Sequence, residues 1–438
     1  MAVTIEAPGH VFMHPTAPTS IEGTGLTVDL VTQLVTKTLH FAGELTGWDI
    51  ALRVGLTFPV VEPVLDGLIR QHHCEIAGGT MTGRASYRYR ITDAGRVRAM
   101  LFLEHNAYVG IAPVPIAQYR AYMSGFAAAS TEKATRARIR EAFSHLVLGD
   151  KVLDQLGPAI NARHSMFVYG PPGNGKTVIS QAIRNVLGGE IAIPHALEVE
   201  GSIIRVFDPV IHEELELPET GSGLDGGVRH DRRWARCKRP MVMVGGELKL
   251  SALDLSDSRG SGFYRAPIQT VANGGVLVID DFGRQQCAPR DLLNRWIVPL
   301  ESRVDFLTLA TGQKLELPFM ALVVFATNLN PNELVDEAFL RRIHYKILAE
   351  SPTVAEYTRI FEGYCRTEDV AFDTSYVEFL LDHWYRPRNI PLRGCHPRDL
   401  VQQALSLAEY LDQPRSLTCE LLDAACSGYF VQDQAPLV

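Results

Sequence analysis

The chain has 438 residues, 46% of them apolar and 21% charged, with a formal charge of −8. That length predicts two or three domains, and the composition excludes a disordered or fibrous chain. The acidic balance argues against a protein that mainly coats nucleic acid. No apolar run approaches the roughly 20 residues of a membrane span, the longest being Phe319–Ala326. The first residues lack the basic start and apolar core of a signal peptide. The seven cysteines form no C-x-x-C pair and are odd in number, which predicts reduced thiols and a cytoplasmic protein. The adjacent His72, His73 and Cys74 cannot easily converge on one ion, so no metal is expected there.

Residues 1–24 are rich in Pro, Gly and Thr and predict an irregular arm. Helices are expected at Val31–Ala42, Thr46–Gly55 and Pro59–His72. A strand then alternates along Arg84–Ile91, and Thr92 caps a further helix. This helix–helix–helix–hairpin–helix order over 25–115 resembles a winged helix, and the Y-x-I-T-x-x-G-R run from Tyr89 to Arg96 is similar to that fold's wing. Residues 116–145 read as a helical connector. Strands and helices alternate over 146–348, and 349–438 reads as purely helical.

Gly170-Pro171-Pro172-Gly173-Asn174-Gly175-Lys176-Thr177 matches the pattern G-x-x-x-x-G-K-[ST]. The apolar run Met166–Tyr169 precedes it, and a helical stretch from Val178 to Leu187 follows. In such a strand–loop–helix the glycines let backbone N–H groups curl around phosphates, and the helix N-terminus adds positive potential. Lys176 is expected on the β- and γ-phosphates and Thr177 on Mg²⁺, with ATP as the ligand. The apolar run Val276–Ile279 ends in Asp280 and Asp281. Asp280 is the expected second Mg²⁺ ligand and Asp281 the group that orients or activates the attacking water.

Further on, Leu322–Thr327 reads as a buried strand ending at Asn328, and Pro331–Ile343 as a helix ending in Arg341 and Arg342. Phosphate loop, acidic strand, A-T-N strand and D-E-A-F-L-R-R-I helix, in that order, resemble the AAA+ ATPases over roughly residues 146–438. The resemblance implies an α/β ATPase domain with a five-stranded parallel sheet and a C-terminal helical lid. It also implies a sensor role for Asn328, trans-acting fingers for Arg341 and Arg342, and a second, cis-acting sensor for Arg398 in Gly394–Leu400. A strand pair around Ala310–Gln313 and the Ala272–Val276 lead-in are similar to the pre-sensor-1 hairpin branches, those of MoxR, magnesium chelatase and the enhancer-binding activators. In that comparison the basic run 229–239 and the segment Gly245–Leu250 either line a ring's channel or form surface loops. The family's usual catalytic acid is Glu, one methylene longer than Asp281. A water misplaced by about 1 Å can cost on the order of a hundredfold, so slow hydrolysis is expected.

The third helix carries Glu62 and Asp66 where base-reading donors belong, with Arg70 its one firm cation. The cations of the wing region are Arg84, Arg88, Arg90, Arg96 and Arg98. Protein recognition or ring assembly is therefore expected of residues 25–115 ahead of DNA contact. The expected function is ATP hydrolysis in a homo-oligomeric ring, a hexamer, that remodels a partner macromolecule. Two alternatives stay open: a DNA-dependent ATPase or transcription regulator, and a low-turnover assembly switch gated by nucleotide.

Overall fold

The computed structural model describes residues 2–7, 10–79, 83–129, 133–216, 230–257, 260–335 and 337–430. Arg229 of the basic run and Asp336 of the predicted 331–343 helix lie outside them. The fold class is α/β as expected. Strands Met241–Val244, Val276–Ile279, Leu322–Thr327, Met166–Tyr169 and Tyr345–Leu348 follow one another in a five-stranded parallel sheet. The register sets Val324 and Tyr345 on either side of Met166, and Thr327 and Leu348 on either side of Tyr169. Val276–Ile279 and Leu322–Thr327 are buried along their whole length. Continuous apolar runs are what a parallel sheet covered on both faces requires.

The chain divides into two compact units. One comprises 1–132, 187–278 and 285–323; the other comprises 133–186, 279–284 and 324–438. In the first, helices Val28–Ala42, Gly47–Val54, Phe58–Arg70 and Asp93–His105 accompany a three-stranded sheet in the order Glu44–Thr46, Arg88–Ile91, Cys74–Gly78. Thr27, Thr46 and Thr92 cap their helices by accepting from the N–H groups of Leu30, Asp49 and Gly95. Val31, Leu34, Val60, Val64 and Ile91 meet in the core.

Residues 2–15 differ from the irregular arm the sequence suggested: Ala2–Ala7 pairs antiparallel with His10–Pro15. The alternating run Val3-Thr4-Ile5 and the apolar run Val11-Phe12-Met13 lie in the strands, and the surrounding Pro and Gly obscured them. The long stretch before Val276 contributes to a second five-stranded sheet, in the order Ser256–Asp257, Tyr264–Arg265, Ser202–Arg205, Ala196–Val199, Val114–Pro115. Four of the described cations of the basic run, Arg233, Arg236, Lys238 and Arg239, have partners within this unit, and Arg232 is exposed. Arg233 is buried against Asp231 at 2.8 Å, Arg236 binds Glu190 at 2.6 Å, and Arg239 donates to the carbonyls of Gly188 and Gly274. The expected strand pair before Leu322 is present as Val304–Thr308 and Lys314–Pro318.

The second unit carries the helices Asp150–Ala162 and Lys176–Leu187 and a C-terminal set, Val354–Thr367, Thr374–Leu380, His396–Tyr410 and Cys419–Tyr429. The set has its own core of Tyr357, Phe361, Trp384, Leu400 and Leu422. Thr353 and Glu356 form a capping box at its start. The single helix expected over 331–343 is two short ones, Pro331–Leu334 and Glu337–Leu340, because Val335 is extended.

One buried charge in the first unit gives a direct test. Lys37 is fully buried, its Nζ donates to the Asn106 carbonyl at 3.0 Å, and desolvation lowers its pKa from 10.5 to about 8. Between those values the unfolded chain keeps a proton that the folded chain has lost, so stability rises with pH across that window, by up to about 3 kcal/mol. Urea titrations of the parent and Lys37→Met between pH 7 and 10.5 should show this rise in the parent and its loss in the variant. An unchanged pH slope in Lys37→Met would place the titrating group elsewhere.

Candidate functional site

The phosphate loop leaves the sheet at Tyr169 and enters the helix Lys176–Leu187. Gly170, Gly173 and Gly175 have φ of +140°, +80° and +73°, values that favour residues without Cβ. The Lys176 side chain folds back over the loop, its Nζ donating to the carbonyls of Gly170 and Pro171 at 2.9 Å each. It is 7% exposed. Burial lowers its pKa, Asp280 and Asp281 raise it, and Arg393 lowers it. Because the helix begins at Lys176, its first N–H groups have no intrahelical acceptor and are available to an anion. Pro171 and Pro172 shape the turn, and Val178 sits in the helix's first turn.

The two acidic residues stand beside this loop. Thr177 Oγ1 donates to Asp280 Oδ2 at 2.8 Å. The Asp281 N–H donates to Asp280 Oδ1 at 2.9 Å, and Asn328 Nδ2 donates to Asp281 Oδ1 at 3.2 Å. The turn after the strand is fixed by the Phe282 N–H on the Ala326 carbonyl and by Thr327 Oγ1 on the Phe282 carbonyl, both at 2.7 Å. Asp281 has φ +48°, a conformation that Asp tolerates better than most residues. Thr177, Asp280, Asp281 and Asn328 thus form one connected group. A hydroxyl and a carboxylate side by side are an all-oxygen donor set, which fits Mg²⁺, an ion that takes few protein ligands and otherwise binds water and phosphate.

The other predicted arginines occupy different surroundings. Arg341 and Arg342 follow the short helix Glu337–Leu340. Arg341 is 77% exposed and pairs with Glu337 at 2.8 Å. Arg398, in the first turn of helix His396–Tyr410, binds Asp399 Oδ1 at 2.8 Å and is 59% exposed. The arginine whose charge acts on Lys176 is Arg393, which the sequence reading did not select. Arg393 donates to Ser351 Oγ at 3.0 Å. The next two residues reach the loop itself: the Gly394 N–H donates to Asn174 Oδ1 at 3.3 Å and the Cys395 N–H to the Gly173 carbonyl at 2.8 Å. The signal available in sequence was the Arg-Gly-Cys run just before a helix start.

A cavity of about 350 Å³ lies beside the loop, within the size range of small-molecule sites. Leu148, Tyr169, Pro352 and Ile360 supply apolar wall, and Asn174 and Thr353 supply polar groups.

Residues 353–428 match a family model described as a domain of unknown function (DUF8689). No curated protein matches the sequence. Among solved structures, the chain is similar to Thermotoga maritima RuvB, a Holliday junction branch migration motor, at 14% identity, covering 64% of this chain and 68% of that one, with a TM-score of 0.36. A second is NtrX from Brucella abortus in complex with ATP, at 14% identity, covering 64% of this chain and 57% of that one, with a TM-score of 0.39. Likenesses this loose carry no functional argument. The site's own geometry has to supply it.

Lys176→Ala should abolish ATP binding in calorimetry, because the loop loses its cation. Parental affinity in that variant would remove the phosphate-loop assignment. Arg393→Ala should reduce nucleotide affinity or hydrolysis about tenfold more than Arg398→Ala, a factor worth one charge-assisted hydrogen bond. The reverse ranking would return the role to Arg398.

Proposed function

We propose that the chain is an ATPase of AAA+ type that hydrolyses MgATP in a homo-oligomeric ring, a hexamer, and uses the cycle to remodel a protein partner. The observation that carries this reading is the connected group of Thr177, Asp280, Asp281 and Asn328 against the phosphate loop. ATP would place its triphosphate on the loop N–H groups and Lys176, and its nucleoside in the neighbouring cavity. Thr177 and Asp280 would hold Mg²⁺, which supplies charge neutralisation between the phosphates. Asp281, steadied by Asn328, accepts a hydrogen bond from the attacking water and orients it in line. Arg393 meets the phosphates from the same subunit, and Arg341 and Arg342 meet those of a neighbour.

Residues 25–115 are proposed as a winged-helix module that contacts protein. The cations expected to serve DNA are largely engaged within the module. Arg84 pairs with Glu62 and Asp66, and Arg88 and Arg90 pair with Glu44. Exposed pairs of this kind are worth at most about 1 kcal/mol. They nonetheless place carboxylates beside each guanidinium, which a phosphate backbone would meet unfavourably.

Asp281→Asn should keep ATP affinity and lower turnover by about 10²–10⁴, the usual contribution of a positioned base. Phosphate release at the parental rate would remove the role from Asp281. The double variant Arg341→Ala/Arg342→Ala should bind ATP normally and lose hydrolysis by about 10³ or more. Mixed with Lys176→Ala protein, which still offers its arginines, it should regain part of that activity. A parent that is monomeric by light scattering with ATP present, yet fully active, would rule out the ring.

A further inference from the structure

The first unit holds a second cavity, of about 740 Å³, that the nucleotide reading does not use. Its floor is the stretch Ala107–Ile111, and that stretch is pinned. The Ala107 N–H donates to the Ser261 carbonyl at 2.7 Å and the Ala112 N–H to the Val54 carbonyl at 2.8 Å. Lys37 holds the Asn106 carbonyl at 3.0 Å, and Tyr108 donates its hydroxyl proton to the Ile111 carbonyl at 2.7 Å. A floor tied at both ends is already in place before a ligand arrives.

Aromatic rings form much of the lining. Tyr108 meets Phe263 edge to face at 5.6 Å, and His195 leans on Phe207 at 4.8 Å. Phe41, which is 67% exposed, stands among the lining residues as well. Arg53 and Arg205 complete the chemistry. No Asp or Glu lines the cavity, and neither guanidinium has an ion pair or hydrogen bond among the described residues. His195 is held neutral at physiological pH, its pKa lowered to about 4 by burial and then by Arg205 and His212. It therefore offers a hydrogen-bonding edge and adds no charge.

Rings of this kind take a flat ligand face, through stacking and cation–π contact. Guanidinium forks take phosphate or carboxylate. A purely apolar ligand would give the two arginines nothing to bind, and a simple inorganic anion would leave the aromatic lining uncovered. We propose that this cavity binds a small anion that combines a planar aromatic or heteroaromatic ring with a phosphate or carboxylate group, with its ring on the aromatic lining and its charge on Arg53 and Arg205. Two sources share that chemistry: nucleoside monophosphates and aromatic carboxylic acids.

The test uses full-length Lys176→Ala protein, so that the phosphate loop does not contribute, and 1-anilinonaphthalene-8-sulfonate, a fluorescent planar anion, as the probe. Saturable binding is expected, weakened at least about tenfold in Arg53→Gln and in Arg205→Gln. Arg205→Lys should retain most of it. Both arginines are exposed, so folding should be unaffected, which far-UV circular dichroism and the thermal midpoint check. Displacement of the probe by AMP, GMP, CMP or UMP, or instead by 2-naphthoate, identifies the source. No saturable binding, equal binding in the Gln variants, or displacement by neither class overturns the proposal. The parent protein should bind the probe as Lys176→Ala does, so a failure here leaves the ATPase reading separately testable.

Discussion

Close contact on both flanks of the phosphate loop is the constraint on which the candidate site rests. A Cβ on Gly170 would lie 2.5 Å from the Ala349 carbonyl oxygen, and one on Gly173 would lie 2.5 Å from Cys395 Sγ. Gly170 meets backbone and accepts no side chain, quite apart from its positive φ; at Gly173 the sulfur would have to turn away, and the positive φ adds to the constraint. Asn174 joins the two flanks, donating to the Ala349 carbonyl at 3.3 Å and accepting from the Gly394 N–H. The loop is therefore set from one side by the end of the strand Tyr345–Leu348, where the Ala349 N–H binds the Tyr169 carbonyl at 2.8 Å. From the other side it is set by the segment that opens helix His396–Tyr410. The loop and the start of that helix are thus physically linked, and a ligand that favours one arrangement of the loop would favour one arrangement of 393–395.

The same contact explains why Arg393, the arginine whose charge acts on Lys176, was hard to find in the sequence. Arg398 falls in the first turn of a helix, where a motif comparison looks for it, yet its partner is Asp399, the next residue. Arg393 precedes the helix, and its place beside the loop follows from Gly394 and Cys395 lying against Asn174 and Gly173. No local pattern encodes a contact between residues more than two hundred positions apart. The phosphate loop, Asp280, Asp281 and Asn328 were legible for the opposite reason. Each sits at the end of a continuous apolar strand, and a parallel sheet delivers such ends to one edge whatever else the chain does.

Elsewhere the legible parts were long and periodic. The helices at Val28–Ala42 and Phe58–Arg70 and the pair Val304–Thr308/Lys314–Pro318 all showed their period. The second five-stranded sheet did not, because its strands are two to four residues long and draw on Val114–Pro115, far from the others in sequence. Charge was also misleading when counted by type. The basic run 229–239 was expected either to line a channel or to form surface loops. In the fold Arg233 is 2% exposed and bound to Asp231, the Thr24 carbonyl and Gln118. Composition reports how many cations exist, and only the fold reports which are already engaged.

That distinction separates eight of the chain's arginines into two groups. Arg84, Arg88, Arg90, Arg233 and Arg236 sit against carboxylates, so binding an outside anion would mean breaking an ion pair first. Arg53 and Arg205 have no such competitor, and Arg393 is held by a neutral serine hydroxyl. An anion arriving at the last three gains the full charge-assisted interaction, because no internal carboxylate has to be displaced. In a chain of net charge −8, uncompensated guanidinium groups beside a cavity are the places where an anionic ligand has most to gain. The structure puts one beside the phosphate loop and two at the aromatic cavity, so the same electrostatic argument supports both sites.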